Sequence, residues 1–244
     1  MGLEGRVGLI TGAAGGLGRV VARELAAAGA SVALVGSTAG RLEALARELA
    51  LPTERYLVHA ADLRVAGDAA AMVAAVLGQL GRIDVWVHAV GGWRGGRMVA
   101  ATDPDDLAAM LDQHLWTTFH VAGALVPHLV RAGWGRVVAV SAPSAVSPGA
   151  RSGPYAVAKA AQEALLMTLA RETAGTGVTV NVIQVKSIDL EQAPARGRPG
   201  AGATAGPPKP SGTAPEEIAA TIRFLCSDEA HVINGARIPL YGGG

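Results

Sequence analysis

The chain is 244 residues long and half hydrophobic, and its 21 basic and 20 acidic residues nearly cancel without any run of like charge, which excludes a nucleic-acid footprint or a polybasic membrane patch. No uncharged apolar stretch reaches the ~18 residues of a membrane span, residues 1–6 lack the layout of a signal peptide, and Arg6 stands where a myristoylation signal wants Ser or Thr. With Cys226 as the only cysteine an internal disulfide is excluded, so the expectation is one soluble, cytoplasmic α/β domain over 1–244.

From the N-terminus, a strand over 6–10 runs into Thr11-Gly12-Ala13-Ala14-Gly15-Gly16-Leu17-Gly18 and then a helix over 18–28. A glycine-rich turn between strand and helix lets the backbone approach a pyrophosphate, and the helix N-terminus supplies free amides and a positive dipole end. Gly12, Gly16, Leu17 and Gly18 are therefore candidate nucleotide-binding residues, with Gly16 and Gly18 at the closest approach; a simple tight turn is the alternative. The second strand, 31–35, ends in Gly36-Ser37-Thr38, without the acid that accepts from the ribose 2′-hydroxyl of NAD. Ser37 and Arg41, at the start of a helix over 41–50, suit a 2′-phosphate, which favours NADP(H) over NAD(H). After the third strand, 56–60, Asp62 with Leu63 beside it is a candidate for holding the adenine, or Asp62 caps the helix over 66–80.

The fourth strand, 83–89, opens onto Gly91-Gly92-Trp93-Arg94-Gly95-Gly96-Arg97, where Trp93, Arg94 and Arg97 meet either an aromatic or anionic substrate or simply solvent. Thr102-Asp103-Pro104 marks the start of a helix over 103–131, in which Pro127 predicts a kink or an early end. A fifth strand over 135–140 precedes a helix over 155–173 that starts with Tyr155 and Lys159, four apart and so on one face. A phenol titrates near ~10; a neighbouring ammonium and an oxidised nicotinamide ring favour its phenolate and make it usable as an acid or base near neutrality. After the sixth strand, 178–183, the stretch 192–213 is rich in Pro, Gly and Ala and reads as a mobile loop, either a substrate lid or a passive insertion. Pro215-Glu216-Glu217 opens a helix over 214–225, and a strand over 237–240 closes the pattern. Seven strands alternating with helices predict a doubly wound parallel sheet of Rossmann type with helices on both faces.

Taken together, Thr11 to Gly18, Asp62, Gly91, Tyr155 with Lys159, Asn181 on the sixth strand and the closing stretch 227–243 resemble the short-chain dehydrogenase/reductase family over nearly the whole chain. The resemblance implies a nicotinamide cofactor, a small carbonyl or alcohol substrate and commonly a homo-oligomer, a tetramer or dimer. It implies that Tyr155 exchanges the substrate proton, that Lys159 binds the nicotinamide ribose and lowers the tyrosine's pKa, and that Gly91 and Ile188 lie near the ring end.

Some positions depart from the family pattern. The serine usual thirteen positions before the tyrosine is Ala142. Ser141 alternates to the opposite face, and Ser144 has the right parity only if the chain stays extended past Pro143; Ser144 is the candidate substitute, or an ordinary loop serine. The asparagine that supports a proton relay aligns with His114, read either as a relay or as a packed core histidine. An Asn-Asn-Ala-Gly stretch is His88-Ala89-Val90-Gly91, with His88 read as structural, and a Pro-Gly is Val185-Lys186. No further ligand spacing suggests a metal. The expected activity is ketone–secondary alcohol interconversion; the alternatives are a catalytically impaired cofactor-binding subunit, or a cofactor-assisted dehydration or isomerisation.

Overall fold

A run that is apolar at nearly every position belongs in a sheet covered on both faces, and the strand segments of this chain are such runs. In the computed structural model, which describes residues 2–190 and 212–241, they form β1 (Val7–Thr11), β2 (Ser31–Gly36), β3 (Tyr56–Ala60), β4 (Val85–His88), β5 (Gly135–Ser141), β6 (Val178–Val185) and β7 (Arg237–Leu240). All pairings are parallel and the order is β3-β2-β1-β4-β5-β6-β7. Alternation divides the interior in two. Ile10, Val87 and Val138 face a layer of α1 (Gly16–Ala27), α2 (Ala39–Leu49) and α7 (Pro215–Leu225). Leu9, Trp86 and Val137 face a layer that includes α3 (Ala66–Leu80), α5 (Thr117–Ala132) and α6 (Gly153–Glu172). The doubly wound sheet expected from the sequence is what forms, and the order reverses between β1 and β4, where such folds open a ligand crevice.

The single helix predicted over 103–131 has three parts. Asp103 caps α4 (Pro104–Leu111) by accepting from the Asp105 amide at 2.9 Å, a π-helical turn covers Asp112–Trp116, and α5 continues to Ala132. The wide turn leaves carbonyls that threonines take up: Thr117 Oγ1 donates to Gln113 O (2.7 Å) and Thr118 Oγ1 to His114 O (2.6 Å). Such turns are rare and favour functional positions. Pro127 lies inside α5 and does not end it. Of the predicted loop 192–213, all but Gly212 and Thr213 lies outside the described residues, as does the tail after Tyr241. Among the described residues no helix is long and apolar enough to cross a membrane.

Candidate active site

At the point of reversal lies a cleft of about 700 Å³, lined along one wall by Gly12, Ala14 and Gly15, and along the other by Ala89, Val90 and Gly91. Gly12 turns at φ +81°, and a Cβ there would stand 2.6 Å from Ala89 O, so only glycine lets the two walls approach. Gly15 caps α1 without a side chain, and the first turn of α1 holds no acid, which leaves its amides open to an anion. This cradle fits a dinucleotide. A Cβ on Gly18 would collide with the Gly12 carbonyl, so Gly18 seats the helix on the turn, and a Cβ on Gly16 would meet Leu190 at 2.7 Å. Leu17 is buried in the core beneath α1, and Gly15, not Gly16 or Gly18, lines the cleft.

Ser37, Thr38 and Arg41 line the outer end, with Gly36 at the tip of β2 where an acid would exclude a 2′-phosphate. Arg41 Nη2 donates to Ala14 O at 3.1 Å, which aims the guanidinium along the cleft. Asp62 and Leu63 line the same end. Asp62 is not a helix cap: Val65 holds that position for α3, while Asp62 Oδ1 accepts from the amide of Arg64 (3.1 Å) and from its Nε (2.8 Å). The Arg64 guanidinium holds the Asp62 carboxyl below its ordinary pKa. Arg94, also in the wall, pairs with Asp106 at 3.0 Å. Trp93 and Arg97 are exposed.

α6 presents Tyr155 and Lys159 one turn apart. Lys159 is buried, and its Nζ donates to Val140 O and to Gln162 Oε1, both at 2.8 Å. Burial brings its pKa down to about 7, against the opposing pull of the Glu163 carboxylate. Burial raises the pKa of Tyr155, the opposite direction to the one expected for it beside an ammonium and an oxidised nicotinamide ring.

His114, on the π turn, stands edge-to-face with Tyr155, ring centroids 5.5 Å apart. Its Nε2 is 3.1 Å from Gly92 O, and a carbonyl only accepts, so Nε2 carries the proton and Nδ1 is a bare acceptor. Nδ1 is buried without a partner. Burial and the charge of Lys159 hold the ring's pKa to about 3, so it is neutral at physiological pH. Neighbouring Gln113 lines the cleft, as does Gly91 beside Gly92, so His114 adjoins the cleft without lining it. His88 is fully buried between Thr11 and Thr118, the structural position expected of it.

Ala142 follows β5 in extended conformation and is buried, but Pro143–Ala145 then coils into a 3₁₀ turn. The parity argument for Ser144, which needed an extended chain, therefore fails. Ser144 nonetheless has a buried Oγ with no hydrogen-bond partner, as has Ser141. Ile188 does not line the cleft; it bridges to Thr213 beside β6. Among the described residues no three His, Cys, Asp or Glu side chains converge on a metal position.

Sequence reasoning missed Gln162. Its signal was a polar residue within the buried stripe of α6, three positions after Lys159 and therefore on the same face. It also missed Thr118, which nothing in the sequence marks.

Comparison with known proteins places this geometry. The sequence profile described as enoyl-(acyl carrier protein) reductase matches residues 12–244. The (2S)-[(R)-hydroxy(phenyl)methyl]succinyl-CoA dehydrogenase subunit BbsC of Thauera aromatica is 36% identical, covering 98% of this chain and 94% of its own. D-threitol dehydrogenase of Mycolicibacterium smegmatis is 32% identical over 99% and 93% of the two chains. A solved short-chain type dehydrogenase/reductase from Mycobacterium ulcerans matches with a TM-score of 0.88 and 28% identity, over 100% of this chain and 90% of that one. With a parallel seven-stranded sheet, a glycine cradle at its switch point and a tyrosine–lysine pair beside it, the chain belongs to the short-chain dehydrogenase/reductase family of NAD(P)-dependent oxidoreductases.

Proposed function

We propose that the chain interconverts a ketone and a secondary alcohol with NADP(H) as the preferred cofactor. The observation that carries this reading is a glycine-walled cleft with Ser37, Thr38 and Arg41 at its outer end and no acid at the tip of β2, and with Tyr155 edge-to-face against His114, whose neighbour Gln113 lines the cleft. The amides at the start of α1 hold the pyrophosphate. Ser37 and Arg41 take the 2′-phosphate, Asp62 and Leu63 flank the adenine, and Gly91 lies toward the nicotinamide. When bound, the cofactor supplies or accepts the hydride, and its oxidised ring adds a positive charge.

Tyr155 gives its hydroxyl proton to the carbonyl oxygen during reduction and takes it back during oxidation. Lys159 commits two of its three N–H donors to Val140 and Gln162; the third is left for the nicotinamide ribose. Ser144 supplies the hydroxyl that polarises the carbonyl, since its O–H is uncommitted to any protein acceptor. His114 fixes the loop after β4 through Gly92 and offers Nδ1 as the proton acceptor of a relay. The same reading makes the protein a single-domain, cytoplasmic homo-oligomer.

A second reading, a cofactor-binding subunit with little chemistry of its own, has the methyl group of Ala142 in its favour. Against it stands the plain dehydrogenase name of the D-threitol relative. Calorimetric titration with NADPH and NADH, followed by absorbance-monitored turnover on a panel of ketones, separates the two. Tighter binding of NADPH with turnover is expected, and Tyr155→Phe is expected to cut kcat by at least about 10³-fold with cofactor affinity retained. Wild-type rates in that variant would remove Tyr155 from the chemistry, and binding without turnover would favour the subunit reading.

A further inference from the structure

Two neutral acceptors hold the Lys159 ammonium, and one of them is a side chain. Gln162 is 0% exposed, and its amide has only one orientation that satisfies its surroundings. An ammonium can only donate, so Oε1 must face Lys159 Nζ. Nε2 then donates to Thr118 Oγ1 at 2.8 Å and reaches His114 O at 3.4 Å. Thr118 gives its own proton to His114 O, so toward His88 Nε2, 3.1 Å away, it can only accept. His88 therefore carries its proton on Nε2 and accepts at Nδ1 from Thr11 Oγ1, 2.8 Å away. Thr11 in turn accepts from Trp86 Nε1 at 3.2 Å. Thr11 Oγ1 also reaches Val87 O at 3.3 Å, and from Lys159 through Gln162 to Thr118 the direction of each bond is set by the ammonium, which cannot accept.

We propose that Gln162 is a positioning residue for Lys159: its buried amide fixes the ammonium and keeps it charged by tying it, through Thr118 and His88, to Thr11 at the root of the glycine turn. The string joins the tyrosine–lysine helix to the strand that carries the cofactor cradle, so a shift of one is resisted by the other. The proposal deepens the function given above and takes from it only that Lys159 anchors the cofactor; the hold of Gln162 on the lysine stands or falls separately.

Other charged and titratable groups surround Lys159. Glu163 follows Gln162 on α6, but its carboxylate is taken by Arg237 Nε (2.6 Å) and Gln184 Nε2 (2.9 and 3.2 Å). Tyr155 lies one turn earlier on the same helix, while His114 from the π turn and His88 from β4 are both neutral, each with its pKa near 3. Burial brings Lys159 down to about 7, so loss of an acceptor is felt near neutrality.

Lys159, Lys186 and Lys209 are the only lysines, so the side-chain nitrogen of Lys159 can be followed by NMR in the full-length, cofactor-free protein and assigned by its loss in Lys159→Met. Gln162→Met keeps the length and removes the acceptor; the titration midpoint of Lys159 is expected to fall by about one pH unit. Gln162→Glu places a carboxylate at the same point and is expected to raise it by about as much. A purely structural role would not move the two variants in opposite directions. Midpoints equal to wild type in both, or displaced the same way, would overturn the proposal. If Gln162→Met does not fold, Gln162→Glu decides alone, an upward displacement supporting the proposal and none overturning it. NADPH affinity across the same pH range keeps the two readings apart: opposite displacements of Lys159 with an affinity indifferent to its charge would uphold the role of Gln162 and remove Lys159 as the cofactor anchor.

Discussion

The two halves of the sheet meet between β1 and β4 and build their parts of the site from different materials. In the half carrying β1 to β3 the site is largely backbone: a positive-φ glycine against the Ala89 carbonyl, the uncapped start of α1, and a strand tip without a carboxylate. In the half carrying β4 to β6 it is side chains reaching between elements: Lys159 to Gln162, Gln162 to Thr118, Thr118 and Thr11 to His88, His114 to Gly92. A backbone cradle tolerates little change, since glycine alone satisfies its geometry. A side-chain network can exchange members as long as donors and acceptors still pair. The departures at positions 88, 114 and 142 all fall in the second half.

The sharpest way to test that contrast is to exchange one function between two serine positions in the second half. If Ser144 has taken over from position 142, Ser144→Ala loses one donor to the developing oxyanion, and kcat is expected to drop about 10²- to 10³-fold, or roughly 3 to 4 kcal/mol. Adding Ala142→Ser to that variant is expected to restore at least about tenfold, with cofactor affinity unaltered throughout. Steady-state rates on one ketone decide it. A silent Ser144→Ala would mean that the carbonyl is polarised by another group, and that the network has lost a member rather than moved it.

This division also marks what was legible in the sequence. Strand runs such as 178–183 and the turn from Thr11 to Gly18 could be read because burial on both faces and close backbone approach each demand a residue type at each position. Tyr155 and Lys159 could be read because four residues on a helix make one face. The direction of the Lys159 bonds could not, because it depends on a strand carbonyl and a threonine from another helix. Ser144 was placed by strand alternation, which Pro143 ended by starting a 3₁₀ turn. The π turn at His114 was likewise hidden, since its apolar spacing is that of an ordinary helix.

A smaller effect follows from the histidines. The two fully buried ones, His88 and His114, both belong to the second half. Burial, with the charge of Lys159 next, brings His88 to about 3 from an ordinary 6.5. Between those values the unfolded chain binds a proton that the folded one does not, so stability is complete above 6.5 and is lost as pH falls toward 3. At pH 5 the loss from His88 alone is about 2 kcal/mol. His88→Asn, which keeps a polar side chain in the pocket, is expected to narrow the difference in urea-unfolding free energy between pH 7 and pH 5 by about that amount. An unchanged difference would show that acid sensitivity does not arise at this position.

The smallest expected effect bears on the other half. Arg41→Ala removes a guanidinium from the outer end of the cleft and is expected to weaken NADPH about tenfold, near 1.4 kcal/mol, while NADH binding stays the same. The two cofactors differ only in the 2′-phosphate, so a selective loss assigns Arg41 to that group. Arg41 also donates to the Ala14 carbonyl in the glycine turn, and this makes the variant informative about more than preference. If both cofactors weakened equally, the guanidinium would be holding the turn in shape, and the cradle would depend on a side chain after all. The contrast between a half built of backbone and a half built of side chains would then fail at the place where it is drawn most firmly.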